Sequence, residues 1–348
     1  VLPIIKRHLD LNSGVDKGRI WRIAPKGFRS KLAPDLGAIT SKELVAYLDH
    51  PNAWHAETAQ RLLWERAEVG AVPELRRLVR DESATTGRVR AMYLLRALGV
   101  LGENDVMNGI SANTPEVRRH AVRLAETFAT PSAALMDALA TCANDGDVGV
   151  RYQTAFTLGT WDAKGRIEAL AAIARRDSAD PWMRVALLSS VSTGAGRLIA
   201  ELLDHASFHG VDGSAELLQQ LARVTGAGGA AEDVAACVDA LDALADDDGS
   251  LRDELVAALL TGARENANAT EVRAAVENSV TARAALARMT DRARADAQDA
   301  SLSPRVRTSA ITSLALSDED EALPILFGIL GSDAPDEVKR AAVGTLSR

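Results

Sequence analysis

Aromatic side chains make up only 4% of the 348 residues, and β-branched runs are scarce, so the usual raw material of sandwiches and barrels is missing. The two cysteines, Cys142 and Cys237, stand far apart in Ala-rich surroundings. No Cys-x-x-Cys and no Cys-x-x-Cys-His occurs, which argues against a disulfide scaffold and covalent haem attachment and leaves two buried free thiols as the expectation. No segment reaches the roughly 18 to 20 apolar residues of a membrane span, and no basic-then-apolar leader opens the chain. Gly-rich phosphate loops, nucleophile elbows and paired-carboxylate sites are also missing from the sequence pattern. What remains is 47% hydrophobic and 25% charged, an ordinary globular composition. It is rich in Ala, Leu, Arg and Glu, which favour helix. The length fits about two domains or one elongated array. The first residue is Val, and Ala341 to Arg348 still reads as helix, so the chain is expected to be a piece of a longer or processed protein.

The net charge of -8 conceals a gradient. Residues 1–100 hold 17 basic and 11 acidic side chains, whereas residues 101–348 hold 23 and 37. Lys6, Arg7, Lys17, Arg19, Arg22, Lys26, Arg29 and Lys31 supply most of the positive excess. Such a tail can meet an anionic partner, but it can equally be a solvated linker or pack on an acidic neighbour. The acidic remainder argues against nucleic acid, which needs a continuous basic groove.

A repeat is visible. A basic residue followed by small and aliphatic residues recurs at Arg90, Arg118, Arg151, Arg184, Arg273, Arg307 and Lys339, with neighbouring spacings of 28 to 34 apart from the long interval between Arg184 and Arg273. That period is the length of two short helices and two turns. Asp147 and Asp180 stand four residues before Arg151 and Arg184, and Pro115, Pro181, Pro304 and Pro335 open second helices. These are helix starts, because Asp satisfies free N–H groups there and Pro lacks one. The pattern predicts helix pairs at 41–49 with 53–66, 71–80 with 87–98, 103–110 with 115–128, 132–144 with 148–161, and 164–177 with 181–191. It continues with 196–206 and 213–225, 231–245 and 250–262, 271–300 (broken) and 304–316, and 321–330 and 335–347. Within second helices, Val117, Ala121, Leu124 and Ala125 form the i, i+3, i+4 stripe of a packing seam. Thr225-Gly-Ala-Gly-Gly-Ala and Asp246-Asp-Asp-Gly read as loops. Gly18 to Ile23 alternates at period 2 as a short strand, and Ala24 to Phe28 turns away.

The expectation is therefore an all-α chain: a right-handed α-solenoid of HEAT/armadillo-like repeats over 41–348, irregular at 192–300, with a basic extended arm at 1–40. The runs His8 to Gly14, Asp16 to Pro25, His50-Pro-Asn-Ala-Trp54 and Glu57 to Arg66 resemble the middle of large bacterial proteins of the membrane-bound dehydrogenase family. Leu217 to Gly226 looks like that family's middle repeats. The resemblance implies a β-propeller before this region, a c-type cytochrome domain after it, an extracytoplasmic location, and Gly18 to Ile23 as the propeller's closing strand. Neither the propeller nor the haem motif is in this sequence, so no redox role is carried onto any residue.

Candidate sites are few. His205 and His209 are spaced i, i+4 and are weak zinc candidates without the glutamate of His-Glu-x-x-His. His55 and His120 read as partly buried, hydrogen-bonded histidines. Asp246 to Gly249 lacks the register of a calcium loop. Trp54, Trp64, Trp161 and Trp182 read as seam packing. The repeated Arg is expected to bond neighbouring carbonyls and carboxylates as a ladder between repeats. Arg119 and Arg123 on the second helices are the candidate interaction surface. The functional expectation is a non-catalytic scaffold or spacer of a larger redox protein, with protein partners, no cofactor and no metal. The alternatives are a stand-alone adaptor or a HEAT-like enzyme such as a lyase or DNA glycosylase.

Overall fold

The computed structural model describes residues 17–18, 23–29, 33–244, 249–265 and 268–347. It divides into two compact units, Val1–Ile39 and Thr40–Arg348. In the first, the expected strand lies largely outside the described residues, as do His8 to Gly14 and most of the basic side chains. Ile23 to Pro25 is exposed and not strand. A turn follows, in which the Phe28 N–H donates to the Pro25 carbonyl at 3.0 Å. Gly27 takes the positive φ of 85° that this turn requires.

The second unit is all-helical among the described residues. Its nineteen α-helices are α1 (Ser41–Ala46), α2 (Ala53–Arg66), α3 (Val72–Val79), α4 (Thr85–Ala97), α5 (Glu103–Ile110), α6 (Pro115–Ala125), α7 (Ala133–Cys142), α8 (Val148–Leu158), α9 (Arg166–Asp177) and α10 (Pro181–Ser189). They continue as α11 (Ala195–Leu203), α12 (Ser214–Gly228), α13 (Ala231–Ala243), α14 (Gly249–Glu265), α15 (Ala269–Asn278), α16 (Val280–Gln298), α17 (Pro304–Ser313), α18 (Glu319–Leu330) and α19 (Asp336–Leu346). Caps written in the sequence start many of them. Thr40 and Glu43 form a reciprocal capping box. Asn52, Ser132, Asp147, Asp180, Ser279 and Ser303 each accept a backbone N–H of the first turn.

Packing follows a simple rule from α1 through α14: each helix packs on a chain neighbour and on the helix two places on. The even-numbered helices form one continuous row from α2 through α18, and the odd-numbered ones form a second from α1 through α15. A pair of helices cannot bury an apolar face on both sides alone, so the core is shared between successive pairs. Leu44, Leu75, Leu95, Val106, Leu124, Leu139, Val150, Leu170, Leu187, Leu198, Leu221, Leu241 and Leu259 are all essentially buried, one after another along the stack. Both cysteines are buried and free, and burial pushes each thiol up to about 12.

Two expectations are corrected here. The stretch expected to be irregular from 192 keeps the alternation through α14. The break expected within 271–300 falls at Ser279, which caps α16 by accepting the Ala282 N–H at 3.0 Å. The 19-residue α16 then packs on both α13 and α14. The glycine-rich stretch at 225–230 is not a loop for most of its length. Thr225 and Gly226 are buried inside α12, which ends only at Gly228. The reason is close backbone approach. A Cβ at Gly226 would overlap the Leu259 carbonyl oxygen of α14, and one at Gly262 would overlap the Arg223 carbonyl oxygen of α12. The two glycines let α12 and α14 lie against each other with no side chain between. Of the other loop expected from sequence, 246–248 lie outside the described residues, and Gly249 opens α14.

Alanine at Gly226 or Gly262 should cost about 1–3 kcal/mol each, because the intruding methyl meets backbone rather than a movable side chain. Gly228, beside which nothing lies within 4 Å, should instead gain about 0.5–1 kcal/mol as alanine through lost unfolded-state freedom. Urea unfolding of the three variants checks both signs.

Candidate interaction surface

The recurring arginine occupies one place in the helix, four residues after the N-cap. Arg118 follows Thr114, Arg151 follows Asp147, Arg184 follows Asp180 and Arg307 follows Ser303. From there the side chain folds back over the turn that precedes its own helix. Arg118 Nη1 donates to the carbonyls of Ala112 and Asn113, both at 2.9 Å. Arg151 Nη1 donates to those of Asp145 at 2.7 Å and Gly146 at 3.2 Å. Arg184 Nη1 donates to those of Ser178 at 2.6 Å and Ala179 at 3.3 Å. These oxygens cluster just past a helix C-terminus, where the last carbonyls have no partner inside the helix.

The other edge of the guanidinium reaches forward. Arg118 grips the Asp145 carboxylate with Nε and Nη2 at 2.7 and 2.8 Å. Arg151 grips Asp177 in the same two-pronged way, at 2.6 Å for both. Asp145 thus takes Arg118 on its side chain and Arg151 on its carbonyl, so each rung hands on to the next. Arg118 holds the Asp145 carboxyl below the usual carboxylate range, and the Asp147 N–H adds to this. The planar fork of Arg fits a carboxylate and two carbonyls at once, which a Lys ammonium cannot.

Two assignments of the repeat residue shift. In the first repeat the place belongs to Arg88, four residues after Ala84 and 1% exposed, and not to Arg90. Arg88 donates to Val79 O at 2.8 Å and pairs with Glu82 at 2.6 Å, while Arg90 reaches Leu48 O at 2.9 Å. In the long interval after Arg184, buried Arg252 donates to the carbonyls of Leu241 at 2.9 Å and Leu244 at 2.5 Å. Arg252 is followed by Asp253 and Glu254 and not by small and aliphatic residues, which hid the repeat. Arg307 donates to Ala297 O at 3.1 and 3.2 Å. Arg273 instead reaches forward to Asp318 at 2.6 Å and Leu316 O at 3.2 Å. Lys339 sits half-buried four residues after the cap Pro335.

The histidine pair is not brought onto one helical face. Helix α11 ends at Leu203, and Ala206–Gly210 is a 3-10 helix. His205 Nδ1 lies 3.2 Å from Glu201 O. Among the described residues no group of three potential ligands gathers that could hold a metal ion, and no helix is long and apolar enough to cross a membrane. His55 is half-buried against the rings of His50 and Trp54. The tryptophan expectation fails at three of four positions. Trp54, Trp64 and Trp182 are 62%, 59% and 69% exposed. Trp54 and Trp182 each follow a capping Asn52 or Asp180 by two residues, so their rings leave the first turn before the seam begins. Trp161 is half-buried and donates its indole N–H to Phe128 O at 3.0 Å.

Arg119 and Arg123 both lie exposed on α6. Between them, half-buried His120 stacks edge-on against Tyr93 of α4, with ring centroids 5.6 Å apart and Tyr93 Oη 3.2 Å from His120 Nδ1. Burial, and then the two arginine charges, pull the imidazole below its ordinary value.

No protein-family model and no curated protein matches the chain. Three crystal structures of engineered proteins align with it. One is 15% identical with a TM-score of 0.33 and spans 88% of this chain and 98% of its own. The second is 19% identical with a TM-score of 0.20 over 90% and 98%. The third is 18% identical with a TM-score of 0.18 over 88% and 95%.

Replacing Asp145 with Asn should cost about 2–4 kcal/mol at pH 7, because it strips the Arg118 guanidinium of its charged partner. The folded carboxyl titrates below the unfolded value of about 3.9, so its contribution is complete above that pH and fades as pH falls through the lower folded value. The gap between wild type and variant should therefore narrow in acid. Unfolding titrations from pH 7 to 3 would show a constant gap if the pair carried no stability.

Proposed function

We propose that this chain is a HEAT-like right-handed α-solenoid that acts as a non-catalytic scaffold, holding protein neighbours at a fixed separation inside a larger bacterial redox protein. The observation that carries the scaffold half of this reading is the arginine ladder. Arg118, Asp145, Arg151 and Asp177 link successive repeats through side chains that are buried at Arg151 and half-buried at the other three. A guanidinium held at both edges resists sliding between repeats, and a rigid stack is what a spacer requires. The redox half rests on the resemblance of His50 to Trp54 and Glu57 to Arg66, the segment that builds α2.

An antibody raised against this chain, used to blot extracts of the source cells with a parallel stain for haem peroxidase activity, tests the second half. The expected result is one band far larger than 348 residues that also stains for haem. A haem-free band of this chain's own size would replace the spacer with a free-standing adaptor.

A further inference from the structure

Helices that carry the repeat arginine place an apolar residue one turn further on, and the stack closes over it. Met92 follows Arg88 by four residues, Val122 follows Arg118, Ala155 follows Arg151, Val256 follows Arg252 and Ile311 follows Arg307, and all five are fully buried. Leu188, four residues after Arg184, is half-buried. A further helix packs on the next in each case that the rows make plain: α6 on α4, α8 on α6 and α19 on α17. In α19 the arginine's place belongs to Lys339, and Val343 four residues on is 55% exposed. The register is unchanged, but among the described residues nothing covers it.

The other helix of this last pair is bare in the same way. After its acidic first turn, α18 runs from Leu323 to Leu330 without a polar side chain. A helix that is apolar all round belongs in an interior, yet Leu323 is 37% and Phe327 62% exposed. Leu323, Phe327 and Leu330 each stand one residue past a buried position of α18, and Lys339, Val343 and Leu346 do the same on α19. One residue is about 100° of turn. Only residues 331–335 join the two helices, and so short a link makes them antiparallel neighbours. Equal turns from their buried faces then bring both stripes to one side of the pair. Glu319, Asp320, Asp336 and Arg340 are exposed near the helix ends and give this side a polar rim of mixed sign.

We propose that this face of α18 and α19 seats an apolar-faced helix pair of a neighbour that the scaffold holds, packed as one repeat packs on the next. Continuity with the interfaces between repeats specifies the occupant: the cation stands in the ladder's place, and the apolar stripe lies one turn past it. Arg118 and Arg151 reach forward to Asp145, just beyond α7, and to Asp177, the last residue of α9. The Lys339 ammonium enters no ion pair among the described residues. The neighbour's first helix is therefore expected to end on a carboxylate, which this ammonium meets as a point charge. A second copy of this chain would offer the same outward side, not the inward side that a following repeat presents, so it does not reproduce the packing. The inference deepens the scaffold reading above by naming how a neighbour is attached, and it rests on that reading.

The test compares the native protein, drawn from the source cells with the antibody, with the full chain alone. Both are footprinted with a photogenerated carbene, which inserts into exposed C–H bonds, and treated with a carbodiimide, which joins an ammonium to a carboxylate in direct contact. Phe327 and Val343 should label in the chain alone and at least fivefold less in the native protein, while buried Val122 labels in neither. Lys339 should be joined to an Asp or Glu at the end of a segment with the i, i+3, i+4 apolar pattern of the repeat helices. Val343→Asp, introduced in the source cells, should cut that crosslink at least fivefold. The position is exposed, and an unchanged circular-dichroism melt of the substituted chain shows that it folds. Equal labelling in the two samples, absence of the Lys339 crosslink, a dimer of this chain joined through Lys339, or a crosslink indifferent to Val343→Asp would each overturn the inference. A haem-free native band would remove the redox parent without altering these readouts, so the docking face and the redox-spacer reading fail separately.

Discussion

Helix ends leave carbonyl oxygens without partners, and a stack of short helices has many ends to satisfy. The second unit meets this constraint with a guanidinium placed four residues into the next helix. From that place Arg118, Arg151 and Arg184 cover the turn behind them, and the first two also hold a carboxylate of the repeat ahead. The residue that closes one helix is thus the residue that fixes the next pair. Apolar burial supplies the bulk of the driving force, but it is non-directional. The register between repeats comes from these forked hydrogen bonds.

Where the device is absent, other close contacts replace it. Helix α12 carries Leu217, not an arginine, four residues after its cap Gly213. There the turn approaches the preceding repeat directly: Ser178 Oγ donates to Asp212 O at 3.1 Å, and Gly213 sits so near the Ser178 carbonyl that a Cβ would collide with it. Immediately afterwards α12 and α14 touch backbone to backbone through Gly226 and Gly262. Guanidinium rungs and close glycine contacts are two solutions to the same problem of fixing neighbouring pairs.

How much of this was legible in the sequence follows from which signals are local. Caps and proline starts are short-range, so Asn52, Asp147, Asp180, Pro115, Pro181 and Pro304 mark helices where the sequence places them. Arg118, Arg151 and Arg184 could be found because small and aliphatic residues follow each, and Arg151 and Arg184 also stand four residues after an Asp cap. Arg88 was missed because Ala84 is a silent cap, and Arg90 offers the same following pattern two residues on. Gly226 was misread because a glycine that permits a turn and one that permits a close crossing look alike until the partner helix is known. The exposure of Trp54 and Trp182 was equally hidden, since bulk near a helix start does not reveal whether a neighbour covers that turn. Arg119 and Arg123 are exposed as expected, yet the Tyr93 ring against His120 between them depends on which helices share a row.

The rungs of the ladder are also interchangeable. Arg118 meets Asp145 across 27 residues and Arg151 meets Asp177 across 26, with the same atoms in the same roles. Cutting out residues 118–150 would bring Arg151 to the turn at Ala112 and Asn113 with Asp177 still ahead of it, and every donor would find an equivalent acceptor. A gene encoding such a chain can lengthen or shorten by whole repeats without opening its core. The length of the row is then a heritable quantity, adjustable in steps of one helix pair.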